Sequence, residues 1–171
     1  MKSNPHYEER VASIWTEALF TGFATIFLAL LLWRVGISDL GILSLAFLCL
    51  FIFFLFYAMN YRTLNISITL SSLILRFGIF SWRIPLNNIA ECRHDHLPLL
   101  MWYGGAGIHY MFIRGRYRAS FNFLEHPRVV VTLKRKTGLV QDVSFSTRQP
   151  DEVLQFIQDA ISMSQVAEPQ L

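Results

Sequence analysis

Two stretches of the chain carry no charged residue at all, Ala18 to Trp33 and Leu40 to Tyr61, and they constrain the fold more than anything else in the sequence. A helix crossing a bilayer core needs about 20 predominantly apolar residues. The second stretch meets that length outright. The first, 16 residues between Glu17 and Arg34, reaches it with help from Val11, Ala12, Ile14 and Trp15. Of the 171 residues 53% are hydrophobic and 16% charged, against about 25% charged in an ordinary soluble domain. The excess apolar content therefore sits in these two runs.

A cleaved signal peptide is the alternative for the first run. It fits poorly, because Lys2 is the only basic residue before Arg10, Glu8 and Glu9 are acidic, and no small-x-small site follows Trp33. The connector Arg34 to Asp39 is short enough to join an antiparallel pair, so a transmembrane hairpin is expected over 16–61, with spans near 16–33 and 40–59. Residues 1–15 are read as an N-terminal cytoplasmic segment. Ala18, Gly22, Thr25 and Ala29 recur three or four apart, a small-residue stripe of the kind that lets membrane helices approach closely, with Gly41 and Ser44 as a counterpart. Trp15, Trp33, Tyr57 and Tyr61 mark the run ends, as interfacial aromatics do. Lys2, Arg10 and Arg62 flank the outer ends, while the connector holds only Arg34. The positive-inside rule then places both termini in the cytoplasm, the protein being a multi-pass protein of the cell (inner) membrane. Cys49 falls in mid-span and Cys92 far from it, so no disulfide framework is implied.

After Asn60 the pattern switches to alternation, the mark of strands with one buried face. Ile66, Ile68 and Leu70 alternate with Ser67 and Thr69. Leu73, Leu75 and Phe77 follow beyond a two-residue turn at Ser71-Ser72. Further strands are expected over 82–86, 89–96, 108–113, 119–123, 129–133 and 143–145, with a turn at Lys134 to Gly138. Pro150 at a first helical position and Asp151 with Glu152 at the positive end of the dipole announce a helix. Val153, Leu154, Ile157, Ala160 and Ile161 give it one apolar face. About seven short antiparallel strands and one helix over 62–163 describe an α+β domain, a small sandwich or partial barrel capped by that helix, with 164–171 as a tail.

Four motifs in order, Leu75-Arg76-Phe77-Gly78, Arg83-Ile84-Pro85-Leu86-Asn87-Asn88-Ile89, Tyr103-Gly104-Gly105-Ala106-Gly107-Ile108 and Phe145-Ser146-Thr147-Arg148-Gln149-Pro150-Asp151-Glu152, span roughly Tyr57 to Ile161. Together they resemble the bacterial pleckstrin-homology-like (PH-like) membrane proteins, in which a transmembrane hairpin carries a PH-like domain. The resemblance implies two packed antiparallel sheets with a C-terminal helix plugging one end. It leaves lipid binding, protein binding and self-assembly all open, since fold does not fix function. A phosphoinositide site is not carried over, because the turn that would hold its basic residues is Ser71-Ser72.

Arg114, Arg116, Arg118, Arg128, Lys134, Arg135 and Lys136 form the densest charge, opposed in that stretch only by Glu125. A juxtamembrane basic surface attracts anionic headgroups, and a solvated face gives the same text. Nucleic acid is not expected, as no recognition motif accompanies the charge. The apolar segment Leu97 to Tyr103, with Leu99, Leu100, Trp102 and Tyr103, does not alternate. It is read either as packing on core or membrane or as a partner surface. Gly104, Gly105 and Gly107 do not make a phosphate loop, since the Lys-Ser/Thr ending is missing. Cys92, His94 and His96, at every second residue, are a competent zinc set with His109 or His126 as a fourth ligand. A strand with a buried cysteine and exposed histidines reads identically. No nucleophile motif, carboxylate pair or cofactor fingerprint stands out. The expectation is a non-enzymatic, cofactor-free membrane protein that binds a membrane-protein partner, itself or anionic lipid.

Overall fold

The computed structural model describes residues 7–37, 41–96, 107–123 and 125–162, and the backbone of 163–166. Strand β1 (Tyr7–Ala12) leads directly into helix α1 (Ile14–Gly36), which is followed by α2 (Ile42–Asn60). Strands β2 (Thr63–Ile68), β3 (Ser72–Phe77) and β4 (Phe80–Pro85) come next, then a single 3-10 turn at Leu86–Asn88. The remaining elements are β5 (Ile89–His94), β6 (Gly107–Ile113), β7 (Arg116–Asn122), β8 (Arg128–Thr137), β9 (Val140–Ser146) and helix α3 (Pro150–Val166).

Both α1 and α2 are long and apolar enough to cross a membrane. They pack on each other and leave Ile26, Leu32, Leu45, Ile52 and Phe53 about half exposed or more, which a helix buried in a soluble core would not do. Helix α1 starts where Ser13 caps it, its hydroxyl accepting from Thr16 N–H at 3.0 Å. The contact between the helices is aromatic. Phe54 meets Phe23 at 5.0 Å and Phe27 at 5.5 Å, and Tyr57 meets Phe20 at 5.3 Å. The expected small-residue stripe is not the seam. Ala18, Thr25 and Ala29 are exposed, and a Cβ added at Gly22 would meet nothing within 4 Å. Small residues buried in the two helices are instead Ala24 of α1 and Ser44 of α2, the latter one of the two counterparts expected on the second helix.

The strands form two sheets, β1-β2-β3-β4 and β5-β8-β9-β7-β6, rather than one closed barrel. Their apolar faces pack together, with Phe77 5.2 Å from Phe123 and 6.4 Å from Phe121. Leu64, Ile66, Leu73, Leu75, Val129, Val131, Val143 and Phe145 are fully buried between them, and Val153 and Ile157 of α3 close the core. This is the arrangement the alternation and the helical spacing predicted. Four features differ from it. The first turn holds Leu70 and Ser71, closed by Thr69 N–H to the Ser72 carbonyl at 2.9 Å, rather than Ser71-Ser72. Tyr7–Ala12 lies in the first sheet, paired antiparallel with β2 from Tyr7 against Ile68 to Ala12 against Thr63, so the segment before the hairpin is structurally part of the domain. Strand β7 runs parallel to β9, so the second sheet is not wholly antiparallel as the resemblance implied. Strand β8 continues through Lys134 to Thr137, and the chain reverses at Gly138 (φ 63°).

The pairing of Ala12 with Thr63 has a consequence for the whole fold. The helical hairpin is an insertion between two neighbouring strands, its ends fixed by a continuous sheet. Arg62 and Glu17 form an ion pair at 3.1 Å across the same junction. Two glycines allow close packing beneath it. Gly78 (φ 52°) would place a Cβ 2.8 Å from the Asn60 carbonyl oxygen, and Gly107 (φ 101°) would place one 2.9 Å from the Tyr61 ring. Only a residue without Cβ fits at either position.

Candidate functional site: an arginine cleft and an aromatic pocket

Alternation along β7, β8 and β9 puts Arg118, Ser120 and Asn122, Arg128 and Thr132, and Asp142 and Ser144 on the face of the second sheet that points away from the core. That face is polar, yet it is buried. Ser120, Asn122, Asp142 and Ser144 are at most 1% exposed, and Arg118 is 4% exposed. Charges so buried require partners. Arg118 supplies Nη1 to Asp95 Oδ1 at 2.8 Å and lies 3.5 Å through Nη2 from Asp142 Oδ2. Arg116, two residues along β7, sits 3.1 Å through Nε from Asp142 Oδ1. That approach is not aligned as a hydrogen bond. Asp142 Oδ1, Asp95 Oδ2 and Arg118 Nε all remain without a hydrogen-bond partner among the described residues.

These groups line a cleft of about 520 Å³ between β5, the β6–β7 hairpin, β9 and α3. Arg93, His94 and His96 border it from β5 and just beyond, Arg114 from the hairpin turn, and Leu154 and Gln158 from α3. The structure thus joins two sets that are separate in the sequence, Arg114, Arg116 and Arg118 with Cys92, His94 and His96. It does not gather the second set around a metal. His94 Nε2 is 3.0 Å from Asp151 Oδ1, and burial, with the Glu91 charge, pushes the Cys92 thiol up to about 12, away from the thiolate that zinc requires. Among the described residues no three His, Cys, Asp or Glu side chains converge on a possible ion site.

The basic stretch is divided. Arg118 and Arg128 are buried, whereas Lys134, Arg135 and Lys136 are exposed on β8. Asn88 fixes the latter group in place, accepting from Arg135 N–H at 2.8 Å and donating to its carbonyl at 3.0 Å. Asn88 follows Pro85, which pairs with Ser72 at the end of the first sheet opposite Thr63. Five residue steps at about 3.4 Å each separate the two ends, roughly 17 Å. The Lys134 to Lys136 cluster is therefore on the side of the domain away from the helices.

Beside the helices the surface is aromatic. Tyr61, Phe80, Ser81, Trp82, Ile108, Tyr110 and Phe121 line a pocket of about 340 Å³. Phe80 approaches Phe56 of α2 at 6.4 Å and stacks on Tyr61 at 6.1 Å. Ile79 next to it is 71% exposed and Tyr110 is 52% exposed. Strands β4 and β6 each end their sheet. Sequence reading assigned the apolar partner surface to Leu99, Leu100, Trp102 and Tyr103, which lie outside the described residues, and missed this one. Its residues come from three strands and the residue that caps α2, and they meet where Phe80 stacks on Tyr61 and Trp82 stands 5.9 Å from Phe121.

The chain matches no protein-family model, no curated protein and no solved structure.

Proposed function

We propose that the protein is a membrane-anchored, non-enzymatic binding protein. Its two helices span the cell membrane with both ends in the cytoplasm, and its PH-like domain engages a membrane-protein partner or a second copy at the bilayer surface. The observation that carries this reading is the aromatic pocket of Phe80, Trp82 and Tyr110 against the end of α2. Aromatic side chains carry large contact area with little entropy to lose, and they dominate binding energy at interfaces. Pairing of Ala12 with Thr63 leaves no flexible linker between helix and sheet, so the pocket is held where the side of a neighbouring membrane protein passes. The basic residues Lys2, Arg10 and Arg62 support the cytoplasmic orientation. Sensing of anionic lipid by the basic stretch draws less support, since Arg118 is buried and Lys134 to Lys136 lie on the side away from the helices.

The test is site-specific photo-cross-linking in native membranes, followed by extraction in mild detergent. A cross-linker at position 79 or 110 is expected to capture one defined protein or a second copy, while one at position 136 captures neither. A chain that is always monomeric and gives no adduct from 79 or 110 overturns the proposal.

A further inference from the structure

We propose that the membrane-side rim of the first sheet binds anionic lipid headgroups through Arg10 and Arg76. The proposal rests on the two helices being membrane spans and needs no protein partner. Alternation buries Val11, Leu64, Leu75 and Phe77 between the two sheets, so the residues between them face outward. Register orders that outer face in rows. Ala12 and Thr63 form the row at the helices. Arg10, Asn65, Arg76 and Ser81 form the next, two residues or about 7 Å farther out. Glu8, Ser67, Ile74 and Arg83 form the third, at about 14 Å.

Charge and direction select the occupant. Arg76 is exposed, and its Nε donates to the Gly78 carbonyl at 3.3 Å. Gly78 lies against Asn60 at the end of α2, so the guanidinium is turned toward the bilayer. The Arg10 side chain is exposed too, and makes no hydrogen bond or ion pair among the described residues. Nearby acids do not neutralise this row. Glu17 is taken up by Arg62 at 3.1 Å. Glu125 lies beyond β1, 3.6 Å from His126, whose ring meets the Ala12 carbonyl at 2.9 Å. Glu8 stands in the third row. The negative potential of an anionic leaflet decays over a Debye length, about 8 Å in physiological salt, which takes in the row of Arg10 and Arg76 and leaves out Arg83. Guanidinium groups bind phosphate oxygens with charge-assisted hydrogen bonds, and the headgroups of anionic phospholipids present those oxygens at this depth.

Full-length protein is reconstituted in nanodiscs of two parts phosphatidylcholine to one part phosphatidylglycerol, and the lipids it retains in mild detergent are counted by native mass spectrometry. Phosphatidylglycerol is expected to be retained beyond its share of the bilayer, and high salt to reduce that excess. Arg10→Gln and Arg76→Gln are each expected to lower the preference about fivefold, the effect of removing one cation close to the surface. Arg83→Gln, in the third row, and Arg135→Gln, on the side away from the helices, are expected to leave it nearly unchanged. All four residues are exposed, so the variants are expected to melt as the wild type does. Retention in proportion to the bilayer, or a preference that Arg10→Gln and Arg76→Gln leave intact, overturns the inference. A preference lost equally in Arg135→Gln also overturns it, since net charge and not the rim would then be read. None of these outcomes bears on the cross-linking test of the aromatic pocket, whereas a chain that does not enter nanodiscs overturns both.

Discussion

His109 shows how a single residue records the burial of the polar face. It stands opposite Ser120 on that face, and neither ring nitrogen has a hydrogen-bond partner among the described residues. Burial, with the nearby Arg128 charge, lowers it from its ordinary 6.5 to about 4. Above pH 6.5 the imidazole is neutral folded or unfolded. As pH falls from 6.5 toward 4 only the unfolded chain takes up the proton, so stability is lost across that window. Melting in detergent is expected to drop over pH 6.5 to 4, and His109→Gln to flatten that drop; an unchanged profile in the variant would assign the acid sensitivity elsewhere. Cys92 makes the complementary case. Its buried thiol, at about 12, is expected to resist iodoacetamide at pH 8 in the native protein and to react after denaturation, as read by mass spectrometry. Rapid native alkylation would show that the strand face has been misassigned. In the sequence Cys92, His94 and His96 are indistinguishable from a metal set, because spacing reports the face of a strand and not what stands opposite it.

At the scale of elements, helix α3 was legible and strand β1 was not. The α3 pattern is carried by Val153 and Ile157, both fully buried. Ile157→Asp would bury an unpaired charge and is expected to cost at least about 3 kcal/mol, enough to abolish cooperative melting of a marginally stable domain. A normal melting curve would refute the assigned helix face. Strand β1 escapes because its inward positions are Tyr7, Glu9 and Val11, and a charge interrupts the apolar alternation. Glu9 is inward for a reason. Its carboxylate accepts from the Tyr7 and Thr147 hydroxyls and from Arg148 N–H at 2.7 Å, stapling the first sheet to the chain entering α3. Glu9→Ala is expected to lower stability by about 2 kcal/mol, since bonds to a charged acceptor are stronger than average. Chemical denaturation in detergent measures it, and a change under 0.5 kcal/mol, the scale of an ordinary surface substitution, would mean the staple is a surface ornament.

For the molecule as a whole, pairing of β1 with β2 around the inserted hairpin requires the strand before α1 and the domain after α2 to lie on one side of any bilayer the helices cross. Cysteines placed at the exposed Glu8 and Glu152, in a chain lacking Cys49, are expected to react together with an impermeant maleimide from the same face of sealed vesicles. Labelling from opposite faces would exclude the hairpin. The uncharged runs, the alternation after Asn60 and the amphipathic α3 determined on their own that the chain has two long apolar helices, a β-rich domain and a closing helix, because these signals are local periodicities of 3.6 and 2 residues. Tertiary structure alone decided that β1 belongs to the domain, that β7 and β9 run parallel, that Phe20 and Phe27 meet Phe54 across the helices, and that Arg118 is buried between Asp95 and Asp142. Those facts depend on which distant segments become neighbours, and neither the sign of a charge nor the period of a strand specifies its partner.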